Sequence, residues 1–147
     1  VADKFILRER HDVVYREIVT PQSPQLPLDP LPMVAHRWHV DTNPLMLFRY
    51  SALTFNGHRI HYDLPYSTDV EGHNGLLVHG PLQATLMLNL ACEIIGKQPK
   101  KMSYRGVSPL VCGEPVMVDA VWSQTGGLDC CVREANGVVT MTAEVTV

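Results

Sequence analysis

No apolar run in this chain reaches the roughly 18 residues that a membrane-spanning helix requires. The longest, 82–95, is interrupted by Gln83, Asn89 and Glu93. The four cysteines (Cys92, Cys112, Cys130 and Cys131) contain no C-x-x-C pair, and adjacent Cys130 and Cys131 fall on opposite faces of any strand. Neither a zinc knuckle nor a disulfide framework is indicated. The cysteines therefore fit a reducing compartment, and the expected location is the cytoplasm, or the mitochondrial matrix in a eukaryote. An excess of positive charge is also missing. The formal charge is -3 and the pI about 6.1, with Lys and Arg scattered, which argues against nucleic acid or an anionic membrane as partner. The opening VADKFILRER is charged and has no apolar segment of the kind a secretory leader needs. It also lacks a starting Met, so a trimmed chain, or one piece of a longer polypeptide, is expected.

What is present reads as one soluble globular unit. The 147 residues are 46% hydrophobic and 18% charged, enough to bury a sizeable core. ERHDVVYREI (9–18) predicts a strand around Val13, Val14 and Tyr15. TPQSPQLPLDPLP (20–32) holds five prolines in thirteen residues, a composition that sustains neither helix nor central strand. Residues 1–35 are therefore expected to be a linker-like segment, and 36–147 the folded domain. A strand or two should run through RWHV (37–40) and MLFRYSALTF (46–55). HYDLPYS (61–67) looks like a short turn capped by Asp63. Gly80-Pro81 before LQATLMLNLACEII predicts a helix start, with Gly96 as its stop. That helix is apolar on nearly every side and should be wrapped by other structure. Beyond Met102, SYRGVSPLV, PVMVDAVWSQ, LDCCVREA and VVTMTAEVTV read as strands separated by turn signals. In the last, Val139, Met141, Ala143, Val145 and Val147 share one face. One buried helix followed by hairpin-connected strands predicts an α+β domain whose sheet curls around the helix.

This order of elements resembles the hotdog fold. LFRYSALTFNGHRIHYDLPYS (47–67) and EGHNGLLVHGPLQATLM (71–87) are similar to the MaoC-like hydratase/dehydratase family. Within it they resemble the branch that includes yeast-type mitochondrial 3-hydroxyacyl-thioester dehydratases and the itaconyl-CoA and mesaconyl-CoA hydratases. ERHDVVYRE (9–17) and YRGVSPLVCGEPV (104–116) resemble the same branch. The resemblance implies a hydro-lyase acting on a 2-enoyl or 3-hydroxyacyl thioester of CoA or acyl carrier protein, with a short acyl-CoA of itaconyl or mesaconyl type as the leading substrate. It implies no cofactor and no metal. It also implies pairing, as a homodimer or with another hotdog half, since in that branch a segment like 9–17 tends to lie between two halves.

Water addition to an unsaturated thioester needs a base, an oxyanion donor and an acid. Histidine suits the first and last, because its ordinary pKa lies near neutrality. The family uses an aspartate five positions before its histidine. His61 matches the histidine, but position 56 is Asn, which can orient water and cannot take its proton. Asn56-Gly57 is also a favoured turn pair. Gly80, helped by Leu82, is the candidate oxyanion donor at the helix N-terminus; the alternative is a glycine needed only for a sharp start to the helix. Arg59, Arg49 and Arg105 are candidates for a substrate carboxylate or carrier phosphate. Asp63 and His58 are expected to support the site, while His73 and His79 read as loop histidines. Three other readings stay open. His61 and Asp63 with His79 would make a two-histidine, one-carboxylate metal set. A hotdog thioesterase would need an acid on the central helix, where only Glu93 is available. A non-catalytic acyl-CoA-binding half would need none of these groups.

Overall fold

The computed structural model describes residues 6–13, 36–124 and 126–147. The linker expected at 20–32 and most of the strand expected at 9–18 lie outside these. The elements run β1 (His36–Asp41), α1 (Pro44–Thr54), a 3-10 turn (Arg59–His61), a π-type turn (Tyr66–Val70), α2 (Gly80–Ile95), β2 (Lys101–Gly106), β3 (Pro115–Trp122), β4 (Leu128–Glu134) and β5 (Val139–Thr146). The five strands form one antiparallel sheet in the order β1-β3-β4-β5-β2.

The alternation in β5 decides how the sheet meets α2. Met141, Ala143 and Val145 are buried, while Thr142, Glu144 and Thr146 are exposed. They join Val116, Val118 and Ala120 of β3, and Leu128, Cys130 and Val132 of β4, in one apolar face packed on Leu82, Met87, Leu90 and Ala91 of α2. Met87 and Ala91 are wholly enclosed. The helix starts with Pro81 in its first turn and stops at Gly96, whose φ of 73° a side chain would resist. The sheet covers only one side of α2. Pro81, Thr85, Leu88, Asn89 and Glu93 are exposed, so the expectation of a helix wrapped all round holds only for the sheet-facing side.

The strand expected over 46–55 is instead the helix α1. Asn43 accepts a hydrogen bond from the Met46 N–H at 2.9 Å, and Pro44 occupies the first helical position. Those two adjacent residues start a helix whatever β-propensity follows them. Leu47 and Ser51, one turn apart, face inward. The helix closes at Phe55, in the left-handed conformation (φ 53°, ψ 30°), and the next amide, that of Asn56, donates to the Ser51 carbonyl at 2.9 Å.

On the sheet face away from α2, Arg37 of β1 lies directly across from Asp119 of β3. It donates through Nε at 2.6 Å and Nη2 at 2.8 Å to the two carboxylate oxygens, and Arg133 of β4 adds a third bond at 3.2 Å. Asp119 is 2% exposed, so this shared carboxylate ties three strands together from a buried position.

Candidate active site

The site is assembled where three loops meet the start of α2. Asn56 and Gly57 turn the chain after α1, with the Asn56 Oδ1 accepting from the His58 N–H at 3.0 Å. The 3-10 turn then places His61 inward. Next, 76–78 threads between this turn and the loop 110–112. Leu77 N–H donates to the Ile60 carbonyl at 3.0 Å, Val78 N–H to the Leu110 carbonyl at 2.8 Å, and Cys112 N–H to the Leu76 carbonyl at 2.8 Å. This short extended passage delivers His79 against His61 and leaves Gly80 as the first residue of α2.

The two imidazoles stack face to face, with ring centres 3.6 Å apart and planes 18° from parallel. His61 Nδ1 lies 2.7 Å from the Leu77 carbonyl oxygen. A carbonyl only accepts, so the proton sits on Nδ1 and Nε2 carries the free lone pair. His79 is fully buried, with its Nε2 2.8 Å from Ser51 Oγ and its ring centre 4.8 Å from that of Tyr50, the planes 61° apart. Burial lowers the His61 pKa, with the Leu77 carbonyl pulling the other way and His58 adding a small lowering. Burial, and then His61, push that of His79 down to about 4. Near neutral pH both rings are uncharged, which lets them stack.

The other residues singled out in the sequence are placed as follows. Asp63 accepts from the Tyr66 N–H at 3.2 Å, the capping role expected of it, and from Arg59 Nε and Nη2 at 3.0 and 2.7 Å. That contact holds the Asp63 carboxyl below, and the Arg59 guanidinium above, their ordinary pKa values. Arg59 also lies over the Tyr66 ring at 4.0 Å, so it is fastened within its own loop. His58 is exposed, with its ring edge toward His61 at 5.6 Å. Leu82 is buried in the core, and Arg49 is exposed on α1. Arg105 pairs in register with Thr142. With Asp129, Cys131 and Glu144 it lines a groove of about 770 Å³ on the sheet face away from α2 and from His61. Gly80 does not owe its identity to the fold of this chain. Its φ is not positive, and a Cβ there would meet only Met141 Cε at 3.5 Å, an ordinary contact.

A hollow of about 270 Å³ opens beside this cluster, lined by Phe48, Ser51, Ala52, Phe55, Asn56, Gly57 and Tyr62. His61 is not on its wall; the link runs from Ser51 through His79 to the stacked ring. Sequence reasoning missed Ser51 entirely and took His79 for a loop residue. The correction follows from the passage 76–78, which carries His79 inward. Position 79, immediately before Gly80-Pro81, was the only local sign.

The rival arrangements find less support in this geometry. The His61 and His79 rings lie flat against each other instead of converging on a point, and Asp63 is engaged by Arg59. Among the described residues no three such side chains gather to hold a metal ion. Glu93 is exposed and thirteen residues beyond Gly80, about 20 Å along the helix.

Comparison with known proteins agrees with this architecture. Residues 1–112 match the family described as hydroxyacyl-thioester dehydratase type 2. Mesaconyl-C(4)-CoA hydratase of Chloroflexus aurantiacus is 45% identical over 110 residues, covering 74% of this chain and 39% of that protein. The mitochondrial hydroxyacyl-thioester dehydratase type 2 of Schizosaccharomyces pombe is 36% identical over 96 residues, covering 63% and 31%. The chain thus spans less than two-fifths of the length of these relatives. Among solved structures, a MaoC-like dehydratase from Phytophthora capsici superimposes with a TM-score of 0.67 at 17% identity, covering 86% of this chain and 46% of that one. The fold is the hotdog fold, an α+β arrangement of an antiparallel sheet on a long helix.

Proposed function

The chain belongs to the hydroxyacyl-thioester dehydratase type 2 family, and from that premise we propose that it adds water to, or removes it from, a 2-enoyl or 3-hydroxyacyl thioester. The observation that carries this reading is the contact of His61 with His79, which stacks the His61 ring on the residue immediately before Gly80, the first residue of α2. In the hydration direction His61 Nε2 takes a proton from water as the oxygen bonds to the β-carbon. Charge passes to the thioester oxygen, where the Gly80 N–H and the positive end of α2 stabilise it. The imidazolium then returns the proton to the α-carbon, and no proton is gained or lost overall. Asn56 orients the water. The absence of any packing need for glycine at position 80 supports a close approach of substrate to that amide.

The leading substrate is a short acyl-CoA of mesaconyl or itaconyl type, by kinship with the Chloroflexus aurantiacus enzyme. Arg49, exposed on α1, is the arginine proposed to meet a carboxylate, because Arg59 is held by Asp63 and Arg105 lies on the far face. Residues 36–147 make one hotdog domain and 1–35 a junction. A homodimer, or a second hotdog half, covers the open side of α2. The cytoplasm or mitochondrial matrix remains the proposed location; no helix among the described residues is long and apolar enough to cross a membrane.

The test is turnover of crotonyl-CoA and mesaconyl-CoA, followed by loss of enone absorbance alongside a free-thiol assay. His61→Ala should lower turnover by roughly two to four orders of magnitude. Thiol release in step with enone loss would favour hydrolysis instead. Unchanged turnover in His61→Ala would leave only a binding role.

A further inference from the structure

Ser51 behaves unlike the threonines of the helical segments, including Thr54 of its own helix. Thr54, Thr68 and Thr85 each donate to the carbonyl four residues back, at 2.7, 3.0 and 2.8 Å. The hydroxyl of Ser51 turns from that ordinary local partner to His79 Nε2, at 2.8 Å, across 28 residues of sequence. His79 in turn is held on three sides, by the stack with His61, the ring of Tyr50 and this bond. Its Nδ1 is the one buried side-chain polar atom without a partner among the described residues. A neutral imidazole has one N–H. An unfilled lone pair is better tolerated in an interior than an orphaned N–H, so the proton belongs on Nε2 and is donated to Ser51 Oγ. The Ser51 hydroxyl proton is then free for another acceptor, and Ser51 lines the hollow that Asn56 also lines.

We propose that Ser51 is a catalytic hydrogen-bond donor to the oxygen that joins or leaves the β-carbon, and that His79 is the positioning residue that aims it. This rests on the hydratase reading above and adds a residue to it. The valences of the water favour the assignment. A water attacking carbon has two protons to give and two lone pairs, one of which must stay free for the new C–O bond. His61 Nε2 accepts one proton. Asn56 Oδ1, with a second lone pair beyond the one that binds the His58 N–H, accepts the other. A single donor then fixes the remaining lone pair, and Ser51 supplies it. In the reverse direction the same donor eases departure of the hydroxyl, while His61 delivers the proton that makes it water. Neither Gly80 nor His61 lines this hollow, so the reacting oxygen is placed at its inner end, with Ser51 and Asn56 on the hollow side and His61 on the side of α2, where Gly80 meets the thioester oxygen.

The experiment compares steady-state hydration of crotonyl-CoA and mesaconyl-CoA by the unmodified chain with that of Ser51→Ala, Ser51→Cys, His79→Ala, His79→Gln, the double alanine variant and His61→Ala, with circular dichroism of each. Ser51→Ala should lower kcat roughly ten- to a hundredfold with KM changed less than threefold. Ser51→Cys, nearly isosteric but a weak donor, should show a similar loss even if the alanine variant fails to fold. His79→Gln, whose amide can present an N–H near the former Nε2, should recover much of what His79→Ala loses. The double variant should be far less than multiplicatively impaired, as expected of residues acting through one another. Ser51→Ala and Ser51→Cys within twofold of the unmodified chain, while His61→Ala is inactive, would overturn the Ser51 role and leave the hydratase reading standing. Unchanged turnover in His61→Ala, or no turnover by the unmodified chain, would overturn both.

Discussion

Acid should destabilise this protein through His79, and the structure sets both the pH window and the size of the effect. The ring is fully buried, and its pKa falls from 6.5 to about 4 through burial first and its neighbour His61 second. In the unfolded chain the same histidine titrates near its ordinary value. Above pH 6.5 both states leave it neutral, and its contribution to stability is complete. Between 6.5 and about 4 the unfolded chain binds a proton that the native ring refuses, so stability drops steadily as pH falls, then levels off. One proton is worth about 1.4 kcal/mol per pH unit, so crossing that window costs about 3 kcal/mol. His61 is lowered in the same direction. The rings facing the pair are Tyr50, edge-on to His79, and His58, edge-on to His61; no carboxylate stands among the causes of either shift. The assay is urea unfolding from about pH 7 to about pH 4.5, for the unmodified protein and His79→Gln, with carboxylate titration common to both. The difference between the two curves should change by up to about 3 kcal/mol over the window. Parallel curves would refute the reasoning.

Two further outcomes follow from packing. Phe55 sits in the left-handed region at φ 53° and is 96% exposed, so no side-chain packing among the described residues repays the conformation. Phe55→Gly should raise the unfolding free energy by about 1 kcal/mol while raising KM for acyl thioesters, because the ring lines the hollow beside Ser51; a destabilised Phe55→Gly in urea would contradict the first half. Asp119→Ala leaves Arg37 and Arg133 without their shared carboxylate. It should cost about 3 kcal/mol or more, read as a lower urea midpoint with an unchanged slope.

The parts of this fold that could be read in the sequence are those fixed by neighbours in the chain. The β5 alternation and the span of α2 between Pro81 and Gly96 are local signals; the second holds, and the first holds from Met141 onward, while Thr140 is buried beside it instead of facing outward. The misread stretch, 46–55, has the aromatic content of a strand, and it was decided by two residues outside it, Asn43 and Pro44. Arg105 shows a different limit. Whether a strand residue faces the helix or the far side depends on a one-residue choice of register, here Arg105 against Thr142 of an exposed row. His79 shows a third limit. Its burial depends on 76–78 bonding to residues 60 and 110–112, long-range contacts that its place before Gly80-Pro81 does not reveal.

The same long-range placement bears on why position 56 can be Asn. A carboxylate beside a histidine base would raise its pKa and hold the imidazolium once formed. Around His61 the neighbours are instead a neutral buried ring, a carbonyl oxygen and His58, while the nearest acid in sequence, Asp63, is taken up by Arg59. On the proposed reaction His61 must take a proton and then surrender it to the α-carbon. An imidazolium stacked at 3.6 Å on a buried ring, with no counter-charge, is unstable where it forms. It makes the first transfer harder and the second easier. The burden of drawing a proton out of water then shifts to whatever polarises and aims that water. An amide oxygen at position 56 and a hydroxyl oriented from position 79 have the chemistry for that task without trapping the proton.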